Sequence, residues 1–231
     1  MRLFLKIFLL FPVFTSLAQD VTTISPSIKI DSLYREDQFY FGFTLNTLQH
    51  KPVGLKQNTF SPGFSIGFLR DMPVNKSRTV AIAPGIGFSY NSFNQNIAIS
   101  GTNQSPTYSI ISSQTAYSKN RFEQVLVEMP IEFRCRNSTY ESYKFWRIYG
   151  GFKLGYLLYD KSIYQDGLGK VIVTKNTDFN KFQYGAYLSA GYNTINVYAY
   201  YGLNTLFKSA KIGNESLNMN SMNVGIMFYI L

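Results

Sequence analysis

Cysteine, histidine and tryptophan each occur once in this chain of 231 residues. A lone Cys135 cannot form an intramolecular disulfide, so an exported form must draw its stability from the fold itself. With His50 and Cys135 as the whole imidazole and thiol inventory, no thiolate or imidazole metal site can be assembled, and no metal or other cofactor is expected. Charge is also sparse, at 15% of residues against 17% aromatic, including 18 Tyr and 20 Phe, which is the composition of a strand-prone chain. Long apolar runs are missing too. No segment reaches the roughly 20 apolar residues that a spanning helix requires, so a bilayer could be crossed only by a closed barrel.

The first residues read as an export signal. Arg2 and Lys6 precede an apolar run from Ile7 to Phe14, broken only by Pro12, and Ser16-Leu17-Ala18 matches a small-residue cleavage site. The expected organisation is a signal peptide over 1–18, cleaved after Ala18, a short periplasmic segment over 19–37, and one β-barrel domain over 38–231. No cysteine follows the cleavage site, so a lipoprotein is not indicated. The net charge of +9 falls to +7 once Arg2 and Lys6 leave with the signal. The remaining basic residues are scattered, with no basic helix and no aromatic-basic motif, so nucleic acid is not an expected partner. A surface facing anionic membrane headgroups, or simply a soluble excess of charge, is the simpler account.

Eight alternating runs follow, at about 38–48, 61–70, 78–90, 122–136, 145–159, 181–192, 195–207 and 220–231. Each is near or above the roughly 9 to 11 residues with which a tilted strand crosses a bilayer. The second, fourth and sixth connections are short (Asp71 to Ser77, Asn137 to Lys144, Asn193-Thr194), whereas the others are longer, and Asn91 to Asn120 is the longest. Short periplasmic turns alternating with long external loops are the pattern of outer-membrane barrels. The expected fold is an all-β, eight-stranded antiparallel up-and-down transmembrane barrel located in the outer membrane. Its last run should pair with the first near Phe39 to Leu45 and so remove both sheet edges.

The two faces of the runs separate a membrane barrel from a soluble one. In the fourth run Val125, Val127, Met129, Ile131, Phe133 and Cys135 oppose Gln124, Glu128, Glu132, Arg134 and Arg136; in the fifth, Trp146, Ile148, Phe152, Leu154, Tyr156 and Leu158 oppose Arg147, Tyr149, Lys153 and Gly155. A soluble lipocalin-like binder would turn the apolar face inward and the charges to water. Aromatic residues near the ends of apolar faces, namely Phe39, Phe122, Trp146, Tyr156, Tyr192 and Phe207, favour the membrane arrangement, in which they form interfacial girdles. Glu128, Glu132, Arg134, Arg147 and Lys153 then form a charge network in the barrel interior. Bulky inward Tyr40, Tyr149, Tyr187, Tyr198 and Tyr200 call for small neighbours such as Gly67, Gly87, Gly151 and Gly185, because eight strands enclose little more than their own side chains.

Candidate chemistry is thin. His50 stands at the start of the first long loop, but no serine follows closely enough to suggest an acyl-transfer pair. Glu128 and Glu132 lie four residues apart on one strand, about 13 Å, beyond the roughly 5 to 9.5 Å of glycosidase carboxylate pairs. Gly85-Ile86-Gly87 and Gly167-Leu168-Gly169-Lys170 lack the spacing of a phosphate-binding loop. No catalytic and no cofactor-binding residue is assigned. The loop Asn91 to Asn120, rich in Ser, Thr, Asn and Gln, reads as a mobile surface loop or a partner-contact surface.

Several stretches carry a family resemblance: Phe39-Tyr40-Phe41-Gly42-Phe43, Pro62-Gly63-Phe64-Ser65-Ile66-Gly67, Ala83-Pro84-Gly85-Ile86-Gly87-Phe88, Val127-Glu128-Met129-Pro130-Ile131-Glu132-Phe133 and Tyr149-Gly150-Gly151-Phe152. Over essentially the whole mature chain the sequence resembles the PorT-like outer-membrane β-barrel proteins, also called porin-family proteins. The resemblance implies an eight-stranded outer-membrane barrel without catalytic activity. It also implies a place as accessory or scaffold in an envelope complex, such as the type IX secretion and gliding machinery to which the family's founding member is tied. Outer-membrane lipids and envelope or secretion-complex proteins are the expected partners. A narrow small-solute porin is the alternative, and a rim lipid-modifying enzyme a more distant one.

Overall fold

Strict alternation of apolar and polar side chains makes each long run a strand with one face for lipid and one for the interior, and the computed structural model arranges these runs as a ring. It describes residues 35–57, 60–137 and 145–230. The expected signal peptide and most of the short segment after it lie outside the described residues. Eight long strands occur among the described residues: β1 (Gln38–Gln49), β2 (Pro62–Leu69), β3 (Val80–Asn94), β4 (Tyr117–Arg136), β5 (Trp146–Asp166), β6 (Phe182–Tyr192), β7 (Ile195–Gly202) and β8 (Asn220–Ile230). Neighbours in sequence pair antiparallel. The ring closes where β8 meets β1, in register from Phe39 opposite Ile230 to Gln49 opposite Asn220. Closure leaves no unpaired barrel edge, the condition for a sheet in hydrocarbon.

The outward face is apolar around the ring, with Phe41, Phe64, Phe88, Ile131, Phe152, Leu188, Val197 and Ile226 all exposed. At one end Phe39 packs on Phe68 and Trp146 on Tyr192; nearer the other, Tyr156 packs on Phe182, with ring centroids 5.2 to 5.4 Å apart. These pairs supply the girdles that anchor a barrel at its two interfaces. Phe122 and Phe207 are not among them. Both are buried, at 1% and 3% exposure, because Phe122 shares the inward parity of Gln124 and Leu126, and Phe207 lies beyond the end of β7.

Two strands outrun the bilayer. β4 has 20 residues and β5 has 21, about twice the length a crossing needs. Their pairing shifts register where Val125 faces Tyr159 and Leu126 faces Leu157, a bulge that redirects the strands as they leave the membrane. Above it, the strand Lys170–Thr174 folds back onto β5, so the hairpin continues outside as a small sheet. The long Asn91 to Asn120 connection is not a plain loop, since it carries a hairpin of Ile97–Gly101 with Pro106–Ile110.

Inside, large side chains sit on missing ones. Tyr40 lies across Gly67 and Gly87, and a Cβ at Gly87 would overlap the Tyr40 hydroxyl. Glycine is required there by close approach and not by backbone angle. We expect Gly87→Val to cost about 1–3 kcal/mol through overpacking, read as a lower unfolding midpoint in urea and a lower temperature for loss of the heat-modifiable gel shift.

Candidate functional site

The barrel interior is where the described strands gather buried charge, and β4 and β5 supply most of it. Alternation turns Glu128, Glu132, Arg134 and Arg136 of β4 inward, and likewise Arg147, Tyr149 and Lys153 of β5. Buried charges are tolerable only when paired and hydrogen-bonded. Lys153 Nζ lies 2.9 Å from Glu128 Oε2 and donates to the Tyr198 hydroxyl at 3.1 Å, while Ser89 Oγ donates to Glu128 Oε1 at 2.7 Å. One turn of the pleat lower, Arg134 Nε donates to Glu132 Oε1 at 2.8 Å, and Glu132 Oε2 accepts from the hydroxyls of Tyr187 and Tyr229 at 3.1 and 2.9 Å. The two glutamates therefore belong to separate pairs, each fully engaged.

The sequence-derived set is thus divided. Glu128 joins Lys153 and Glu132 joins Arg134, but Arg147 stands apart, in no ion pair among the described residues. Its guanidinium stacks instead over Phe145, 4.5 Å from the ring centroid, and faces Tyr149 and Tyr229 at 5.7 and 6.0 Å. Three members lie outside that set: Arg136, which the alternation does turn inward, and Asp71 and Glu36, which it does not reach. Arg136 makes a bidentate contact with Asp71, at 2.7 and 2.8 Å, Arg134 Nη1 reaches the same carboxylate at 2.9 Å, and Glu36 Oε2 lies 3.4 Å from Arg136. Asp71 sits in a turn and Glu36 precedes β1, so no strand alternation could place them inside. Asp71, Glu132, Arg134 and Arg136 are all buried.

This cluster closes the periplasmic end, with the backbone of Glu36 drawn into it: its carbonyl accepts from Arg134 at 3.0 Å and its amide donates to Asp71 at 3.3 Å. The external end is closed differently. Leu48, Phe93, Leu126 and Leu157 point inward from β1, β3, β4 and β5 and continue into a buried apolar cluster with Ile97, Ile99, Phe122, Phe179, Phe207 and Met219. Its rings pack at 4.9 Å (Phe93–Phe122) and 4.5 Å (Phe179–Phe207). Hydrogen bonds tie the loops above it. The Tyr108 hydroxyl donates to Asp178 at 3.0 Å, and Ser209 donates to the same carboxylate at 2.6 Å. Burial pushes the Tyr108 hydroxyl well above the usual phenol value. Between the two closures remains a polar cavity of about 30 Å³ beside Glu128, Lys153, Asn91 and Asn223, room for a water or two.

The scan against family models matches residues 18–208 to "Outer membrane protein beta-barrel domain". The chain belongs to this outer-membrane β-barrel family. Its lipid-facing belt and closed ring accord with that membership, and the protein resides in the outer membrane. Among solved structures it is similar to Ail, the attachment invasion locus protein of Yersinia pestis, at 14% identity and a TM-score of 0.41, covering 85% of this chain and 99% of that one. It is also similar to a mutant porin of Rh. blastica, at 10% identity and a TM-score of 0.22, covering 84% and 99%. Neither likeness is close enough to bear on function. No curated protein matches the chain.

The other candidates resolve into structure. His50 ends β1, its Nδ1 3.2 Å from Asn220 Oδ1, with no serine or carboxylate partner among the described residues. Gly85 and Gly87 lie within β3. The Gly167–Lys170 stretch is a turn whose amides at Leu168 and Gly169 donate to Asp166 at 2.9 and 3.1 Å, leaving them unavailable to a phosphate. Those backbone donors, with the Tyr164 hydroxyl, hold the Asp166 carboxyl below its usual value. Cys135 is exposed on the lipid-facing side. Among the described residues no group of three or more His, Cys, Asp or Glu side chains could hold a metal ion.

Asp71 is the keystone of the periplasmic closure. Burial raises the pKa of its carboxyl, but hydrogen bonds and charge from Arg136 and Arg134 outweigh this and leave it below the ordinary value of 3.8. The stabilisation it brings is therefore complete above the ordinary carboxylate range and is lost as the pH falls through the lowered value. We expect Asp71→Asn, which strips two buried arginines of their carboxylate, to destabilise the folded barrel by about 3–5 kcal/mol at neutral pH. In urea unfolding from liposomes, the variant should also lose part of the wild-type drop in stability below pH 4.

Proposed function

We propose that this non-catalytic outer-membrane barrel works as a closed accessory or scaffold of an envelope complex, presenting an ordered external platform. The observation that carries this reading is the apolar cluster over the external mouth, which gives the loops a core of their own. A loop set needed only to join strands has no use for a buried core of this size. A narrow porin would need a continuous polar path, whereas this interior is blocked by ion pairs below and by packed rings above. The resemblance to the PorT-like proteins supplies the finer part of the proposal, that the complex belongs to the type IX secretion or gliding machinery.

The platform bears apolar tips that water alone does not explain. Leu168 is 99% exposed at the turn after β5, and Val53 is 87% exposed in the first loop. Photo-crosslinking side chains placed at Val53 and Leu168 in cells should yield a discrete adduct with another envelope protein. Adducts to lipid alone, or none, would contradict the scaffold reading. For the finer assignment, deletion of the gene should reduce export of type IX cargo or surface spreading; unchanged export and spreading would remove it while leaving the scaffold intact.

A further inference from the structure

On the outer side of the membrane, the extension of β4 and β5 carries a charge pattern that the interior does not account for. Residues 119, 121, 123, 125 and 127 share one face of β4, the face whose lower part, Val125 and Val127, meets lipid. Cross-strand pairing extends it sideways: Lys119 is opposite Gln165, which is opposite Lys170 on the returning strand, and Glu123 is opposite Lys161. Side chains directly opposite one another lie on one face of a sheet. This patch therefore gathers Lys119, Arg121, Lys161 and Lys170 against Glu123, already engaged by Arg121, and at its upper edge Asp166, opposite Tyr117 and already engaged by Tyr164, Leu168 and Gly169. The three lysines are in no ion pair among the described residues. Lys161 stands level with Glu123, two residues beyond Val125, and Lys119 and Lys170 stand six residues beyond it on the same extension.

Lys119 also borders a half-open cavity of about 500 Å³ lined by Gly54 and Lys56, by the chain at the end of β3, and by the stretch from Ile110 into the start of β4. None of the residues lining it is acidic. Lys56 and Lys119 both line it, together with amides and hydroxyls that include Asn96, Thr115 and the half-exposed Tyr117. Gln95 lines it as well; it is only 4% exposed, yet its Nε2 has no hydrogen-bond partner. Its Oε1 accepts from the Ile97 amide, so only the buried NH2 end is left unpaired, and such a donor costs free energy unless something occupies the site. Amides, hydroxyls and an aromatic ring suit a sugar, and two lysines without a counter-acid suit its phosphate.

We infer that this cavity and the lysine patch beside it form a binding site for the phosphorylated saccharide headgroup of an outer-leaflet glycolipid. The sugar enters the cavity between Lys56 and Lys119, a phosphate is held by these two lysines, and Lys161 and Lys170 contact neighbouring headgroups. The acyl chains then descend along the apolar face at Val125 and Val127. The lipid, rather than a soluble glycan, is the source because the patch is continuous with the lipid-facing wall. The site is separate from the apolar tips of the platform.

The test uses the full mature chain, folded in detergent micelles and titrated with lipid A, a bisphosphorylated glucosamine-disaccharide glycolipid, with native mass spectrometry as the readout. One bound lipid A per barrel is expected. Lys56→Gln combined with Lys119→Gln should weaken it about tenfold or more, whereas Lys175→Gln with Lys211→Gln, an equal loss of charge at other exposed loop positions, should not. All variants should keep the heat-modifiable shift of a closed barrel, since these side chains lie on the surface. Removing the phosphates from lipid A should reproduce the loss with the wild-type protein. Equal affinity for native and dephosphorylated lipid A, or equal weakening by both double variants, would overturn the site. Equal affinity for lipid A and its deacylated disaccharide would overturn its assignment to a membrane lipid.

Discussion

An eight-stranded barrel encloses only the space its own inward side chains fill, and every other feature of this protein answers to that constraint. Charge placed in so narrow an interior cannot be hydrated by bulk water, so it must be matched locally. The chain matches it by layers. Arg134 and Arg136 share Asp71 at the periplasmic end, Glu132 takes Arg134 and two tyrosine hydroxyls, and Lys153 takes Glu128 and Tyr198. Tyrosine suits these layers because its ring fills volume while its hydroxyl completes a carboxylate's hydrogen bonds. Glycine opposite the ring gives the ring its place, as at Gly67 and Gly87 beneath Tyr40.

The two ends are closed by opposite chemistry, and the difference follows from what each end has to hold. Below, turns are short and bring few side chains, so ion pairs draw Glu36 and Asp71 across the mouth. Above, strands β4 and β5 rise beyond the bilayer and the connections are long enough to supply apolar residues of their own. Phe93 and Phe122 from the strands then pack with Phe179 and Phe207 from the loops. The outcome is a barrel whose membrane part is ordinary and whose external part behaves as a small domain seated on it. A closed interior and a structured outer surface direct attention to contacts made at that surface.

Much of this was legible in the sequence, for a physical reason. A strand's faces alternate with period two, so Val125 to Cys135 and Trp146 to Leu158 declare which side meets lipid, and the seam between Phe39–Leu45 and the last strand follows from the need to remove edges. The same rule was misapplied at Phe122, whose even number puts it with Gln124 and Leu126 inside, and it had no authority at Phe207, beyond its strand. Periodicity says nothing about turns, which is why Asp71 and Glu36 were not seen as partners of Arg134 and Arg136. Nor could it show that Asn91 to Asn120 holds a hairpin, because its polar composition hides the short buried stretch Ile97 to Ile99. Arg147, read as one charge of a network, stacks on aromatic rings and is in no ion pair among the described residues.

The claim on which this account turns is that the interior is closed at both ends in the resting protein. Single-channel recording of the full mature chain in planar bilayers tests it most directly, with folding verified by the heat-modifiable shift of the same sample. The account predicts no conductance steps over sustained recording at moderate voltage in concentrated salt. Reproducible steps of uniform size from the folded protein would contradict it, since they require a continuous aqueous path past both the Asp71–Arg134–Arg136 cluster and the Phe122–Phe207 lid.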